Sequence, residues 1–290
     1  MDSNVNDSLS LARNWLADVQ QCLLAKVGRM TIVQLQALIL IVRYRLESGD
    51  TAEAWALLPL AARLAFTLRL NYELTSMQPI GQESRRRMVW AIWLIDRQFS
   101  GGIQDLAVFP TERVHIRLPC DDHSFERGIP SRAQYLNGLG LQTEGYNMDI
   151  LSYYLQLHVS RDRILKYTKQ VIRSGQNPAA SKSKLEMLQS ELTRFEEGLP
   201  PDLKLSPECL RLKTHSRDAS SYIALHTLWY QCHCDLYRFL VPGMREFVAK
   251  QVFDCTPPEY IMHCQRAYLS SASSVPSCVE NASPRILRSL

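Results

Sequence analysis

At 290 residues, 46% of them apolar, with a formal net charge of +4, the chain is long enough for a sizeable core and is not composed like a disordered one. So mild a surplus excludes nucleic-acid binding through the overall field, and no apolar run, Ala37 to Val42 or Met88 to Ile95, is long enough for a membrane span. Eight cysteines without a regular framework, behind a polar Met1-Asp2-Ser3-Asn4 start, point to free thiols in a reducing intracellular setting rather than to secretion.

Apolar residues at Leu9, Leu16, Val19, Leu23 and Leu24 space out a first helix that stops at Gly28. Thr31 is a good N-cap for a second, with Leu35, Leu38, Ile39, Val42 and Leu46 on one side and Gly49 at its close. Asp50 and Glu53 read as a capping box for a third helix to about Leu70, in which Pro59 predicts a kink or a restart. The short Glu47-to-Asp50 link predicts that these two helices lie antiparallel. Pro79 and Gly81 then lead into a helix that is apolar on all sides from Met88 to Ile95, the mark of a buried one. Asp96 shares the angular position of Val89 and Ile92, so a carboxylate points into the core. It needs a cationic, hydrogen-bonding partner, from Arg85, Arg86 or Arg87 just upstream or from Arg43, Arg63 or Arg69 on a neighbouring helix. The arginine triplet is too short to read as a nucleic-acid patch.

Periodicity fails from about 102 to 145, where Pro110, Pro119, Gly128, Pro130, Gly138 and Gly140 mark one long irregular loop. A helix returns over about 148–172. A charged surface helix over 182–197 carries a stripe of Leu185, Leu188, Leu192 and Phe195, and an extended stretch follows to about Arg217. The helix containing Trp229 stops at Pro242-Gly243, and two short helices, about 244–253 and 258–272, complete the pattern. The fold class is all-α, an array of antiparallel helix hairpins resembling an α-solenoid bundle. One domain is expected over 1–272, open to truncation at its C-terminal side, with a serine-rich, disordered tail over 273–290.

Little in the chain suggests catalysis, and no enzyme is expected. His226, Cys232, His233 and Cys234 resemble metal ligands by type, but on a helix Cys232 and Cys234 differ by about 200° and cannot share an ion. Asp121, Asp122 and Glu126 superficially match a magnesium motif of all-α enzymes, yet they follow Leu118-Pro119 in a loop and lack a second triad. Trp93, Phe99, Trp229 and Tyr230 read first as core residues, and second as the lining of a pocket for a small apolar effector between helices.

The ordered set Glu83, Arg85, Arg86, Arg87, Trp90, Asp96, Arg97, Ser100, Gly101-Gly102, Leu118 and Pro119 resembles the core of the fungal-specific transcription factor domain, the regulatory middle region of fungal binuclear zinc cluster proteins. Two places depart from the family pattern. Met88-Val89-Trp90 stands where adjacent tryptophans are usual, and Gly102-Ile103-Gln104 stands where Gly-Arg-Pro is usual. A second resemblance runs from Leu225-His226 through Tyr230 to Phe239 and Pro242-Gly243, so the two cover most of 31–245. The resemblance implies a nuclear regulator of RNA polymerase II transcription, with Arg86, Trp90, Asp96 and Arg97 as framework. It implies partners among the transcription machinery, co-regulators or a second copy as a homodimer. It also implies that zinc and DNA contact belong to a Cys-x2-Cys-x6-Cys module that this sequence lacks, leaving no cofactor for this chain. On that reading the chain is either a fragment of a longer factor or a stand-alone regulator. A helical scaffold without DNA contact is the alternative from another class, and a magnesium-dependent enzyme the remote one.

Overall fold

The structure, a computed structural model, describes residues 2–130, 133–136, 148–213 and 216–280. Gly138, Gly140 and Pro284 lie outside them. Eleven α-helices are present among the described residues: α1 (Asp2–Leu24), α2 (Ile32–Glu47), α3 (Thr51–Thr67), α4 (Pro79–Ser100), α5 (Asp122–Arg127), α6 (Ile150–Ser174), α7 (Lys182–Glu197), α8 (Pro207–Lys213), α9 (Ala219–Tyr237), α10 (Lys250–Asp254) and α11 (Pro258–Glu280). No strand occurs among the described residues; one isolated parallel bridge joins Tyr72 to His115. The class is all-α, as the periodicity indicated. Two compact units interleave along the sequence: the first is Met1–Phe99 with Leu106–Arg117, the second Ser100–Asp105 with Leu118–Leu290.

In the first unit, Thr31 and Gln34 form a reciprocal capping box at the start of α2, so its first turn leaves few orphan donors. Leu35, Leu38 and Val42 of α2 and Ala54, Ala61 and Ala65 of α3 are buried, and the small alanines let the two helices approach closely. The box expected at Asp50 does not form. Asp50 turns back to pair with Arg45 at 3.1 Å, and Glu53 takes Arg45 at 3.1 Å and Gln20 at 2.7 Å. The ion pair to a half-buried arginine outcompetes the cap. Nor does Pro59 break α3, which runs unbroken from Thr51 to Thr67.

The second unit is built around α9, which packs against α6, α7 and α11. Tyr222, Leu225, Cys232 and Leu236 of α9 meet Leu157 and Ile164 of α6, Leu188 and Leu192 of α7, and Cys264 of α11 in one apolar cluster. The segment at Ser100–Asp105 reaches α6 so closely that a Cβ on Gly102 would stand 2.5 Å from the Leu165 Cβ. The stretch expected to be extended after α7 contains a short 3-10 turn at Pro201–Leu203 and then α8. The long loop carries α5, two 3-10 turns and the bridged segment. Helix α11 continues into the serine-rich stretch as far as Glu280, where Ser271, Ser273 and Ser274 return their hydroxyls to carbonyls one turn back. Residues 281–290 lie outside the described set.

Candidate functional site

Helix α4 carries its polar residues along one buried edge, and that edge grips the returning segment Leu106–Arg117. At its C-terminal end Asp96, 1% exposed, accepts the backbone N–H of Val108 at 2.9 Å and of Phe109 at 3.0 Å. The neighbouring Arg97 donates to the same carboxylate at 2.6 Å and to the Phe109 carbonyl at 3.2 Å, its guanidinium lying 5.6 Å from the Trp93 ring centroid. One turn back, the Trp93 indole donates to the Thr111 hydroxyl at 3.1 Å. Another turn back, Trp90 donates to the carbonyl of Arg117 at 2.7 Å. The partner of Asp96 is therefore neither Arg85, Arg86 or Arg87 upstream nor Arg43, Arg63 or Arg69 from a neighbouring helix; it is the adjacent Arg97 together with two main-chain donors. Three donors on one carboxylate satisfy a polar group that would be costly to bury unpaired.

The upstream arginines form a separate network. Arg86 holds Glu73 through Nε at 2.8 Å and Nη2 at 2.9 Å, a bidentate fork, and reaches Glu83 at 3.4 Å. Glu83, 3% exposed at its side chain, also pairs with Arg87 at 3.0 Å. Glu73 accepts the backbone N–H of Arg117 at 2.8 Å, so both polar groups of that peptide residue are held. Burial would push the Glu73 carboxyl up, but the hydrogen bonds from Arg86 and from the Arg117 backbone pull it below the usual glutamate range. Arg85 donates to the carbonyl of Arg69 at 2.8 Å.

Leu118 and Pro119 belong to the second unit. Leu118 is fully buried and its N–H meets the Gln134 carbonyl at 2.8 Å, while Ser152 caps the Pro119 carbonyl at 3.0 Å. Asp121 serves as N-cap of α5, accepting the Ser124 N–H at 2.8 Å, and Glu126 makes an exposed pair with Arg217 at 3.5 Å. These are structural uses, unlike a metal motif. Among the described residues no group of His, Cys, Asp and Glu side chains could hold a metal ion. His226 donates through Nε2 to the Leu203 carbonyl at 2.9 Å, Cys232 is fully buried, and His233 packs edge-on to Trp229. Burial drives His226 and His233 down to about 4 and raises the Cys232 thiol, so this set is neutral packing material. Because this sequence lacks the Cys-x2-Cys-x6-Cys ligands of a binuclear zinc cluster and no other donor set stands in for them among the described residues, those residues do not fit that ion.

Of the aromatic residues expected to line an effector pocket, Trp93 and Phe99 lie in the first unit, where Phe99 stacks edge-on with Trp55; Trp229 and Tyr230 pack edge-on to each other in the second. None of the four lines either of two cavities of about 540 Å³ found among the described residues. One, in the second unit, includes Lys166, Lys169 and Arg173 beside Gly102. The other, in the first unit, is walled by Phe66, Arg69, Asn71, Tyr72, Arg113 and His115.

Sequence reading also missed a second buried carboxylate. Asp235 on α9, 1% exposed, pairs with Arg161 of α6 at 2.9 Å and with Arg238 at 3.0 Å, and Arg238 reaches on to Glu246 at 3.3 Å. The signal was present, a lone aspartate in an apolar helix with an arginine three positions on.

Residues 20–195 match the sequence model of the fungal specific transcription factor domain. Three curated proteins of Fusarium oxysporum f. sp. lycopersici are similar. One Zn(2)-C6 fungal-type transcription factor FTF1c is 26% identical over 197 residues, 60% of this chain and 21% of that protein. A second of the same name is 26% identical over 196 residues, and Zn(2)-C6 fungal-type transcription factor FTF1a is 24% identical over 196, with 18% of its length covered. The chain thus spans about a fifth of the length of these relatives. No solved structure matches it.

Proposed function

We propose that this chain, which belongs to the fungal-specific transcription factor domain family, is the regulatory domain through which a fungal transcription factor senses its partners or a small effector in the nucleus. The observation that carries this reading is the family match over 20–195, which takes in the whole of the α4 rack and the segment it grips. Zinc and DNA contact are assigned to a cluster module of the kind named in the relatives, not to residues of this chain. The family is one of transcription factor domains and not of enzymes. An effector acts here by preferring one arrangement of the domain, and it shifts the balance only as far as its differential affinity allows. Co-regulators of the polymerase II machinery are the partners this role requires.

The test is to fuse the 290 residues to a heterologous DNA-binding domain that lacks activation function and to read a reporter in fungal cells. A several-fold change in expression over the DNA-binding domain alone supports the reading; an unchanged reporter overturns it. A second reading, a helical interaction module or homodimer acting without DNA, is favoured by one feature. Leu11, Trp15 and Val19 stand on α1 at i, i+4 and i+8 and are 49%, 64% and 47% exposed, a stripe suited to a partner helix. A chain that remains monomeric by light scattering and retains no partner removes that alternative.

A further inference from the structure

We propose that the cavity between the end of α3 and the segment Arg113–His115 binds a planar aromatic carboxylate. The inference rests on the regulatory reading above and names the chemistry of its effector. It differs from the apolar ligand suggested by the buried tryptophans.

The first observation is the composition of the walls. Of the six lining residues, Phe66, Tyr72 and His115 are aromatic and Arg69 and Arg113 are cationic, while none is acidic. Neither guanidinium is ion-paired to a carboxylate among the described residues. Arg113 lies over the Phe66 ring at 5.8 Å, and Tyr72 stacks with His115 at 4.9 Å and an interplanar angle of 22°. Phe66 is itself stacked on Phe109 at 4.4 Å, so the aromatic surface left for a flat ring is the outer side of the Tyr72–His115 pair, while a guanidinium fork matches a carboxylate with two parallel hydrogen bonds. The volume of about 540 Å³ suits a small molecule.

The second observation is independent and concerns the backbone. Helix α3 ends with the Leu70 N–H on the Ala65 carbonyl at 2.9 Å and the Arg69 N–H on the Phe66 carbonyl at 3.0 Å. This is the Schellman pattern, which places the residue after the cap in the left-handed region. The ends of α2 and α5 show the same pair of bonds, and there the position is filled by Gly49 at φ +81° and Gly128 at φ +63°. At α3 it is filled by Arg69 at φ +51°, the one residue other than glycine with positive φ among the described residues. A side chain there is disfavoured relative to glycine, so the arginine stands at a cost to local stability, and strain of this kind clusters at functional positions. Arg85 steadies the turn by donating to the Arg69 carbonyl at 2.8 Å.

The third observation is that the two halves of the wall are fixed to each other. Asn71, 5% exposed, donates to the Arg113 carbonyl at 2.8 Å, and its own carbonyl accepts the His115 N–H at 2.9 Å. The grip of Asp96 and Trp93 on residues 108–111 lies just before Arg113, and that of Trp90 and Glu73 on Arg117 just after His115. The buried core therefore fixes the backbone from which both arginines project, a part of the preorganisation a small anion needs.

The experiment is a calorimetric titration of the 290-residue chain with 2-naphthoate, its neutral isostere 2-naphthamide, and inorganic phosphate. Saturable binding of 2-naphthoate is expected, at least tenfold tighter than 2-naphthamide and not displaced by an equal concentration of phosphate. Arg69→Gln and Arg113→Gln should each weaken 2-naphthoate at least tenfold and leave 2-naphthamide unchanged, with helicity intact by circular dichroism. Arg69→Gly should abolish the preference for the carboxylate while raising Tm by about 2–3 °C, because it relieves the backbone. Absence of saturable naphthoate binding, equal binding of the amide, displacement by phosphate, or retained affinity in both glutamine variants overturns the proposal. The reporter fusion separates the two readings: a fusion that still changes expression when naphthoate does not bind sinks the ligand alone, and a silent fusion with intact binding sinks the regulatory role.

Discussion

Glu73 holds Arg86 with both carboxylate oxygens, at 2.8 and 2.9 Å, although 13 residues separate them and only Arg86 lies on a regular helix. This fork ties the segment after α3 to the start of α4. Glu73→Gln leaves Arg86 half-satisfied and should cost about 2–3 kcal/mol at pH 7 in a denaturant titration. Its depressed pKa fixes the sign of the acid response. The stability it contributes is present above the unfolded value of 4.5 and is lost as pH falls through the lower folded one. The Gln variant should therefore flatten the loss of stability below about pH 4.5.

Asp96→Ala leaves Arg97 buried without its carboxylate and two backbone N–H groups without an acceptor. The expected loss is about 3–5 kcal/mol. A variant that melts with the parent would dispose of the clamp on Val108 and Phe109. Asp96→Asn, which keeps one acceptor oxygen, should fall between the two.

His226 predicts a different pH window. Burial holds it neutral, down to about 4 from the ordinary 6.5. The unfolded chain takes up a proton that the folded one refuses, so stability is full above about pH 6.5 and falls on acidification toward pH 4. The integrated effect is on the order of 3 kcal/mol. Unfolding midpoints at pH 7 and pH 5 should converge in His226→Gln once its lower baseline is subtracted; an unchanged slope would rule out this histidine as the source.

Gly102→Ala should destabilise the second unit by at least about 2 kcal/mol. Its φ is +78°, and the new Cβ would sit 2.5 Å from that of Leu165. Tm of the purified chain reads this directly.

Helix existence was legible because burial imposes a period of 3.6 residues, and the caps at Thr31 and Gly49 were legible because few residue types serve there. The burial of Asp96 was legible from the same periodicity. Its partners were not. Two of them are main-chain N–H groups of Val108 and Phe109, which carry no side-chain signature and lie where periodicity is absent. Glu73 escaped for the same reason, standing in an irregular link. Arg69 was offered as a partner for the buried aspartate and lines a cavity instead, because nothing in the sequence marks an arginine as occupying a glycine's conformation. Helix α11 runs past its expected end to Glu280, where serines that suggested a tail turn their hydroxyls back onto carbonyls of their own helix.

The grip of α4 on Leu106–Arg117 also dictates how the gene can be cut. A fragment ending near residue 100 carries every side chain of the rack and none of the peptide groups that satisfy it: the Asp96 carboxylate keeps Arg97 but loses two backbone donors, the Trp90 indole loses its acceptor and Glu73 loses one of its bonds. Such a product should aggregate or be degraded, whereas one ending just beyond Arg117 retains the whole set. The same constraint bears on exon boundaries and on domain swaps between relatives: a junction placed at the end of the helix would be silent in the secondary structure and ruinous to the fold.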